Sequence, residues 1–218
     1  MAVLIFANGV MDGAAWVRPY LAKATAVIAA DGGTGHLQKL NYPPQVVIGD
    51  MDSLSEEMRR WLEANQTTFI THPPAKDETD LELALLYAAT HYPDDLLLFG
   101  ALGGRLDQTL ANILLLTHPQ LHGRTVQLIT EQERAWLVTA VSEIYGRAGD
   151  TVSLIPLGGD VRVRAASGLA WPLHDETLAF GLARGVSNVM TADTAVIEVE
   201  SGTLLCIHRA AMNENDHR

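Results

Sequence analysis

The sequence predicts an α/β chain: a mainly parallel open sheet flanked by helices over residues 1–134, then a small all-β, sandwich-like domain over 135–218. Three observations predict it. Short β-branched runs alternate with longer stretches of helical period through the first two thirds, the pattern of strands joined by crossover helices. Near residue 135 the helical period stops, and short alternating segments between Gly- and Pro-bearing turns replace it. Acidic residues follow one strand after another in the first part, where open parallel sheets bind their ligands.

Val3–Ala7 reads as the first strand, Ala26–Ala30 as the second and Val46–Ile48 as the third. Thr68–Thr71 reads as the fourth and Leu96–Phe99 as the fifth. Most of these runs are apolar throughout, as expected of strands covered by helices on both faces. Between them, Glu56–Asn65 is a helical candidate that Thr67-Thr68 ends, and Leu81–His91 carries Leu81, Leu85, Tyr87 and Ala88 at helical spacing. Leu106–Thr117 places Leu106, Leu110, Ile113, Leu114 and Thr117 along one face. Beyond residue 135, strands are expected at Thr151–Ile155, Asp160–Ala165, Ala195–Glu200 and Leu204–His208. The turns that separate them are Pro156–Gly159, Ala170–Pro172 and Glu200–Gly202. The polar tail Met212–Arg218 is expected to fray.

Composition narrows the functional classes. The chain has 218 residues, with 15 Lys plus Arg against 26 Asp plus Glu and a formal net charge of −11. With no run of basic residues, it lacks the patch that neutralises nucleic-acid phosphates or an anionic membrane surface. The single Cys206 excludes a disulfide framework and a cysteine-based zinc cluster, and fits a reducing compartment. Its place in an apolar strand makes it inert rather than nucleophilic. The histidines are scattered along the chain with no clustered ligand set beside them, and no zinc site is expected. The apolar start Met1–Phe6 has no basic residues before it, and no apolar run reaches the roughly 18 residues needed to span a bilayer. A cytoplasmic protein is expected.

The chemistry lies in the aspartates. Asp31 follows the second strand, with Gly32 and Gly33. Asp50 and Asp52 follow the third, in Gly49-Asp50-Met51-Asp52-Ser53. Asp77 and Asp80 lie in Lys76-Asp77-Glu78-Thr79-Asp80, and Asp107 lies in Gly103-Gly104-Arg105-Leu106-Asp107-Gln108. Taken singly, each has an ordinary reading, since Asp caps helices and Gly-Gly makes turns. Repetition at successive strand ends is harder to explain that way. Carboxylates converging without compensation would repel one another, and a hard divalent cation such as Mg²⁺ resolves this, shared with substrate phosphates. The glycines let backbone approach phosphates, and Lys76 and Arg105 supply countercharge. Neither a P-loop nor a Gly-x-Gly-x-x-Gly fingerprint is present.

These ordered motifs resemble those of the thiamine pyrophosphokinase family. The resemblance continues through Gly168-Leu169, Pro172-Leu173 and Gly185-Val186-Ser187-Asn188, and so covers about residues 8–208. Met51 stands where an aromatic is usual, Gln108 where His is frequent, and Trp171 where Tyr is often found. The resemblance implies transfer of the diphosphate of ATP to the hydroxyethyl group of thiamine, with Mg²⁺ as cofactor and AMP released. It implies that Asp50, Asp52, Asp77 and Asp80 hold or orient the metal, with Asp107 near the phosphates or the metal shell. Asp31, Gly32, Gly33, Lys76, Arg105 and Gln108 would serve the nucleotide and its phosphates. One Asp would take the hydroxyl proton, with Asp77 or Asp80 preferred over Asp52. Ser187, Asn188 and Trp171 would meet thiamine, although Trp171 also suits a β-domain core. Residues 1–134 would then be the nucleotide- and Mg-binding catalytic domain and 135–218 the thiamine-binding domain. A homodimer with the active site between subunits is further implied.

Three rivals remain at this point. A diphosphokinase of the same scaffold could act on a hydroxymethylpterin, leaving Ser187-Asn188 as the discriminating feature. A Mg-dependent phosphatase or nucleotide-sugar transferase could use Asp50-x-Asp52, but would leave Asp77, Asp80 and Asp107 unexplained. A binding protein without turnover would have no need of clustered charge.

Overall fold

The computed structural model describes residues 1–211, so the tail expected to fray lies outside the described residues. The chain divides into two compact units, Met1–Glu131 and a second from Gln132 onward.

In chain order the first unit contains strand β1 (Ala2–Phe6), helix α1 (Arg18–Leu21), β2 (Ala24–Ala30), α2 (Thr34–Lys39), β3 (Val46–Gly49) and α3 (Glu56–Ala64). It continues with β4 (Thr68–Thr71), α4 (Asp80–His91), β5 (Asp95–Phe99), α5 (Leu106–Leu114) and β6 (Val126–Ile129). Six strands form a parallel sheet in the order β6-β5-β1-β2-β3-β4. The chain thus builds outward from β1 to one edge, then returns to β1's other side through β5. That reversal is the topological switch point at which such sheets open a crevice beyond their carboxyl ends. Val3, Leu4, Ile5 and Phe6 are fully buried, as a central strand covered on both faces requires.

Two of the helices start where a side chain satisfies a first-turn N–H group. Ser55 Oγ accepts from Met58 N at 3.2 Å to open α3, and Thr79 Oγ1 accepts from Glu82 N at 3.1 Å to open α4. Beyond the end of α4, the Arg124 guanidinium donates to the carbonyls of Ala89, Tyr92 and Asp94 at 2.6–2.7 Å. β6 and the short helices α1 and α2 are not among the elements expected from the sequence pattern.

Helix α5 departs from expectation. The helix ends at Leu114, and Leu115–Thr117 tighten into a 3-10 turn. Its apolar side does not enter the core: Leu106, Leu110 and Leu114 are 74%, 54% and 55% exposed. Periodicity identifies which face is apolar, and says nothing of what covers it.

The second unit is all β. It comprises β7 (Glu133–Val138), β8 (Val141–Tyr145), β9 (Thr151–Ser167), β10 (Leu173–Leu178), β11 (Asn188–Val189) and β12 (Thr194–Arg209). Two expected turns are corrected here. Pro156–Gly159 lies inside β9 and Glu200–Gly202 inside β12, so four predicted strands are two long ones. The glycines bend these strands without ending them, because Gly158 and Gly202 adopt φ of 75° and 91°. The β9–β12 register also slips between Glu198 and Thr203, which marks a bulge. Each long strand therefore serves two sheets. The first half of β9 pairs with the second half of β12, between β11 and β7. The second half of β9 pairs with the first half of β12, between β10 and β8. Side chains from both halves, among them Leu154, Val163, Ile197 and Leu204, share one core, which is the sandwich expected.

Candidate functional site

The first unit gathers carboxylates at the ends of β2 and β3. Asp31 closes β2 in a left-handed conformation (φ 36°) and opens a 3-10 turn, Asp31–Gly33, that feeds α2. That turn lies flat against β1: a Cβ on Gly33 would stand 2.0 Å from the Phe6 carbonyl oxygen, so only glycine fits. After β3, Met51 also takes a positive φ (65°) and buries its side chain in the core, which turns Asp50 and Asp52 to one side. Asp50 Oδ1 accepts from Asp52 N at 3.2 Å, and Asp52 Oδ1 accepts from Ser53 Oγ at 3.1 Å. Carboxylate oxygens of Asp31, Asp50 and Asp52 lie within 4.8 Å of one another.

Asp80 borders the same group. A Cβ on Gly49 would stand 2.9 Å from Asp31 Cβ and 3.0 Å from Asp80 Cγ, so glycine leaves the gap between the two carboxylates. Lys76 Nζ reaches Asp80 Oδ1 at 2.9 Å and Asp50 Oδ2 at 4.0 Å. The bond to Asp80 outweighs burial and raises the Lys76 pKa, which secures its charge. One ammonium thus pairs with two of the four carboxylates.

That imbalance falls on Asp31. It is 6% exposed, and its Oδ1 has no hydrogen-bond partner among the described residues. Burial foremost, then the charges of Asp80 and Asp52, push its pKa up, against the Ser53 hydroxyl and the Gly32 N–H. A buried carboxylate oxygen without a donor is costly unless something positive meets it. The donor set is all oxygen and suits a hard divalent cation such as Mg²⁺.

The remaining predicted residues are placed differently. Arg105 Nε donates to Asp107 Oδ1 at 3.1 Å, and Gln108 N donates to the same oxygen at 2.9 Å, all on the exposed start of α5. This pairing with Arg105 holds Asp107 down at about 2. No hydrogen bond or ion pair among the described residues joins Asp107 to the Asp31 group. Asp77 is exposed and makes no hydrogen bond or ion pair among the described residues. Ser53 belongs to the site as the hydroxyl between Asp52 and Asp31, although carboxylate spacing does not single it out.

In the second unit, Trp171 is 62% exposed and offers an open ring face, which removes the core reading for it. Ser187 is exposed at φ 61°, and its N–H donates to Ser153 Oγ at 3.0 Å. Asn188 turns inward instead. Its Oδ1 accepts from Trp171 N at 3.0 Å and Val189 N at 2.9 Å, while its Nδ2 donates to the Trp171 carbonyl at 2.6 Å. The amide spends its acceptor on backbone and clamps the Trp171 loop.

Residues 17–128 match the family model described as thiamin pyrophosphokinase, catalytic domain. Residues 140–204 match the model for the thiamin pyrophosphokinase vitamin B1 binding domain. The chain is 28% identical over 190 residues to a Bacillus subtilis protein named thiamine pyrophosphokinase, covering 86% of this chain and 89% of that one. It is 26% identical over 180 residues to thiamine pyrophosphokinase 1 of Oryza sativa, covering 78% and 67%. The crystal structure of thiamine pyrophosphokinase from Bacillus subtilis superposes with a TM-score of 0.87 at 27% identity, covering 97% of this chain and all of that one.

Proposed function

Because the chain belongs to the thiamin pyrophosphokinase family, we propose that it transfers the diphosphate of ATP to the hydroxyethyl oxygen of thiamine, giving thiamine diphosphate and AMP. The observation that carries this reading onto the chain's own residues is the convergence of Asp31, Asp50 and Asp52 around a buried oxygen without a donor. Asp31, Asp50 and Asp52 would hold Mg²⁺. The ion, when bound, neutralises charge on the transferring phosphates. Lys76 pairs with Asp80, lies beside Asp50, and lends its ammonium to the phosphates. Arg105, held at the start of α5 by Asp107, braces the phosphates from the Gly103-Gly104 loop, and Gln108 adds a hydrogen bond.

Transfer needs in-line attack of the thiamine hydroxyl oxygen on the β-phosphorus. The bond from that phosphorus to the oxygen bridging it to the α-phosphate breaks, and AMP leaves with that oxygen. The hydroxyl proton passes to a carboxylate. Asp80 is committed to Lys76 and Asp52 to the cation, so we assign this step to Asp77, whose carboxylate is uncommitted. Trp171 gives the cationic, aromatic acceptor a stacking face, and Ser187 gives it a hydroxyl. The first unit is then the catalytic, nucleotide-binding domain and the second the acceptor domain. The apolar face of α5 supports a homodimer in which the subunits complete each other's sites. The lone buried Cys206 supports a cytoplasmic setting, and no helix among the described residues is long and apolar enough to cross a membrane.

One experiment tests the reading. Protein of known sedimentation mass is incubated with ATP, Mg²⁺ and either thiamine or a hydroxymethylpterin, and the nucleotide product is followed. A dimer that forms AMP and thiamine diphosphate is expected. ADP as product, or transfer to the pterin alone, contradicts the function. A monomer with full activity contradicts the shared site.

A further inference from the structure

The second unit contains a buried aspartate–histidine pair that the mechanism above does not use. Asp150 and His208 are 4% and 8% exposed, and His208 Nε2 lies 2.8 Å from Asp150 Oδ2. The other donors to this carboxylate are backbone: Arg147 N to Oδ2 at 3.0 Å and Ala211 N to Oδ1 at 2.8 Å. Gly146 packs against the pair so closely that a Cβ there would stand 2.5 Å from Asp150 Oδ2 and 2.7 Å from His208 Nε2.

Asp150's own backbone leads to the acceptor edge. Its carbonyl accepts from Met190 N at 2.8 Å, and Gly149 N donates to the Met190 carbonyl at 2.9 Å, so the turn brackets Met190 from both sides. Met190 directly follows the strand Asn188–Val189, bridges to Leu169, and follows Ser187 by three residues. On the far side Val189 accepts from Ala170 N at 2.8 Å, and Asn188 clamps both polar groups of the Trp171 backbone. An unbroken set of hydrogen bonds thus runs from His208 to Trp171.

We propose that the Asp150–His208 pair is a positioning device for the acceptor-binding edge. It fixes the Arg147–Asp150 turn, the turn fixes Asn188–Met190, and that strand sets Ser187 and Trp171 for the acceptor. The inference rests on the diphosphotransferase reading above. Neither residue touches substrate. An aromatic face and a hydroxyl recognise an acceptor only if held to a fraction of an ångström, and loss of such support typically weakens a site by about ten- to a hundredfold. Burial works to raise the Asp150 pKa, but its three donors outweigh burial and hold it below the ordinary value, so it stays a full acceptor.

The test compares His208→Ala with His208→Gln, whose amide N–H reaches the same Asp150 oxygen. For His208→Ala, the KM for thiamine is expected to rise by about tenfold, while kcat and the KM for ATP stay within about twofold. His208→Gln is expected to restore most of that loss. Backbone amide exchange, read without turnover, should quicken at Met190, Ala170 and Trp171 but not along β12 at Leu205. An unchanged thiamine KM in folded His208→Ala overturns the proposal, as does an equal fall in affinity for both substrates. Wild-type protein that never transfers diphosphate to thiamine, yet shows the local exchange change in the variant, overturns the functional reading alone.

Discussion

Among the described residues each unit buries one aspartate, and the two are built in opposite ways. Asp150 in the second unit has a donor for every direction its carboxylate faces: His208, Arg147 N and Ala211 N. Asp31 in the first has an oxygen with no partner among the described residues, two further carboxylates within 4.8 Å, and a left-handed backbone. Their pKa values move apart accordingly, Asp150 down because its donors outweigh burial and Asp31 up because burial and neighbouring charges outweigh its donors. A satisfied buried carboxylate serves the fold. An unsatisfied one among like charges opposes the fold, and is retained where something bound makes the charge useful.

The largest expected effect breaks the first half of this comparison. Asp31→Asn keeps the shape and tolerates φ 36°, since Asn is among the residues that enter the left-handed region most readily. It removes the charge that would meet a cation. Turnover is expected to fall by at least about 100-fold, because losing even an indirect support of a metal site costs about 10–100-fold. Steady-state assays of AMP formation check this, and near-wild-type turnover removes Asp31 from the site. Asp52→Asn should behave alike, with an intact fold by circular dichroism.

A smaller effect tests the second half. Asp150→Asn places an amide before three donors that a carboxylate satisfied, and should destabilise the protein by about 1–3 kcal/mol at neutral pH. The folded pKa of Asp150 lies below its unfolded value. Its stabilisation is therefore complete above the ordinary carboxylate value of about 3.9 and is lost as pH falls through the folded value. Denaturant unfolding of wild type and variant should show a gap that narrows below about pH 4. A gap that widens in acid contradicts the assignment.

The smallest effect has the opposite sign. Removing the unpartnered charge at Asp31 should raise the stability of the cation-free protein by about 0.5–2 kcal/mol, the usual range for sites that trade stability for function. Thermal unfolding in chelator checks it, and a loss of stability would mean that Asp31 is a structural residue after all.

The contrast also marks what could be read in the sequence. Apolar runs ending on Gly and Asp exposed five strands and the carboxylates beyond them, because a buried parallel strand and its loop are local patterns. The same rule did not say which carboxylates meet: Asp31, Asp50, Asp52 and Asp80 do, whereas Asp107 turns to Arg105 and Asp77 to solvent. Those choices are made by loop geometry, by the positive φ at Met51 and the gap at Gly49. Glycines misled in the second unit, since Gly158 and Gly202 bend strands that Pro156–Gly159 and Glu200–Gly202 were expected to end. The Asp150–His208 pair spans 58 positions, and no local period connects them. The resemblance places Asn188 at the thiamine, but which way its amide turns depends on Trp171, 17 residues away.

The central claim, that the Asp31 cluster is a cation site, is met most directly by a Mg²⁺ titration followed by thermal unfolding. At ten times the dissociation constant, a ligand bound only by the folded state stabilises it by about 1.4 kcal/mol, or about 3–5 °C for a chain of this size. Wild type should rise by that amount, and Asp31→Asn should stay flat across the same titration. Equal shifts in the two proteins, or none in wild type, would contradict the claim.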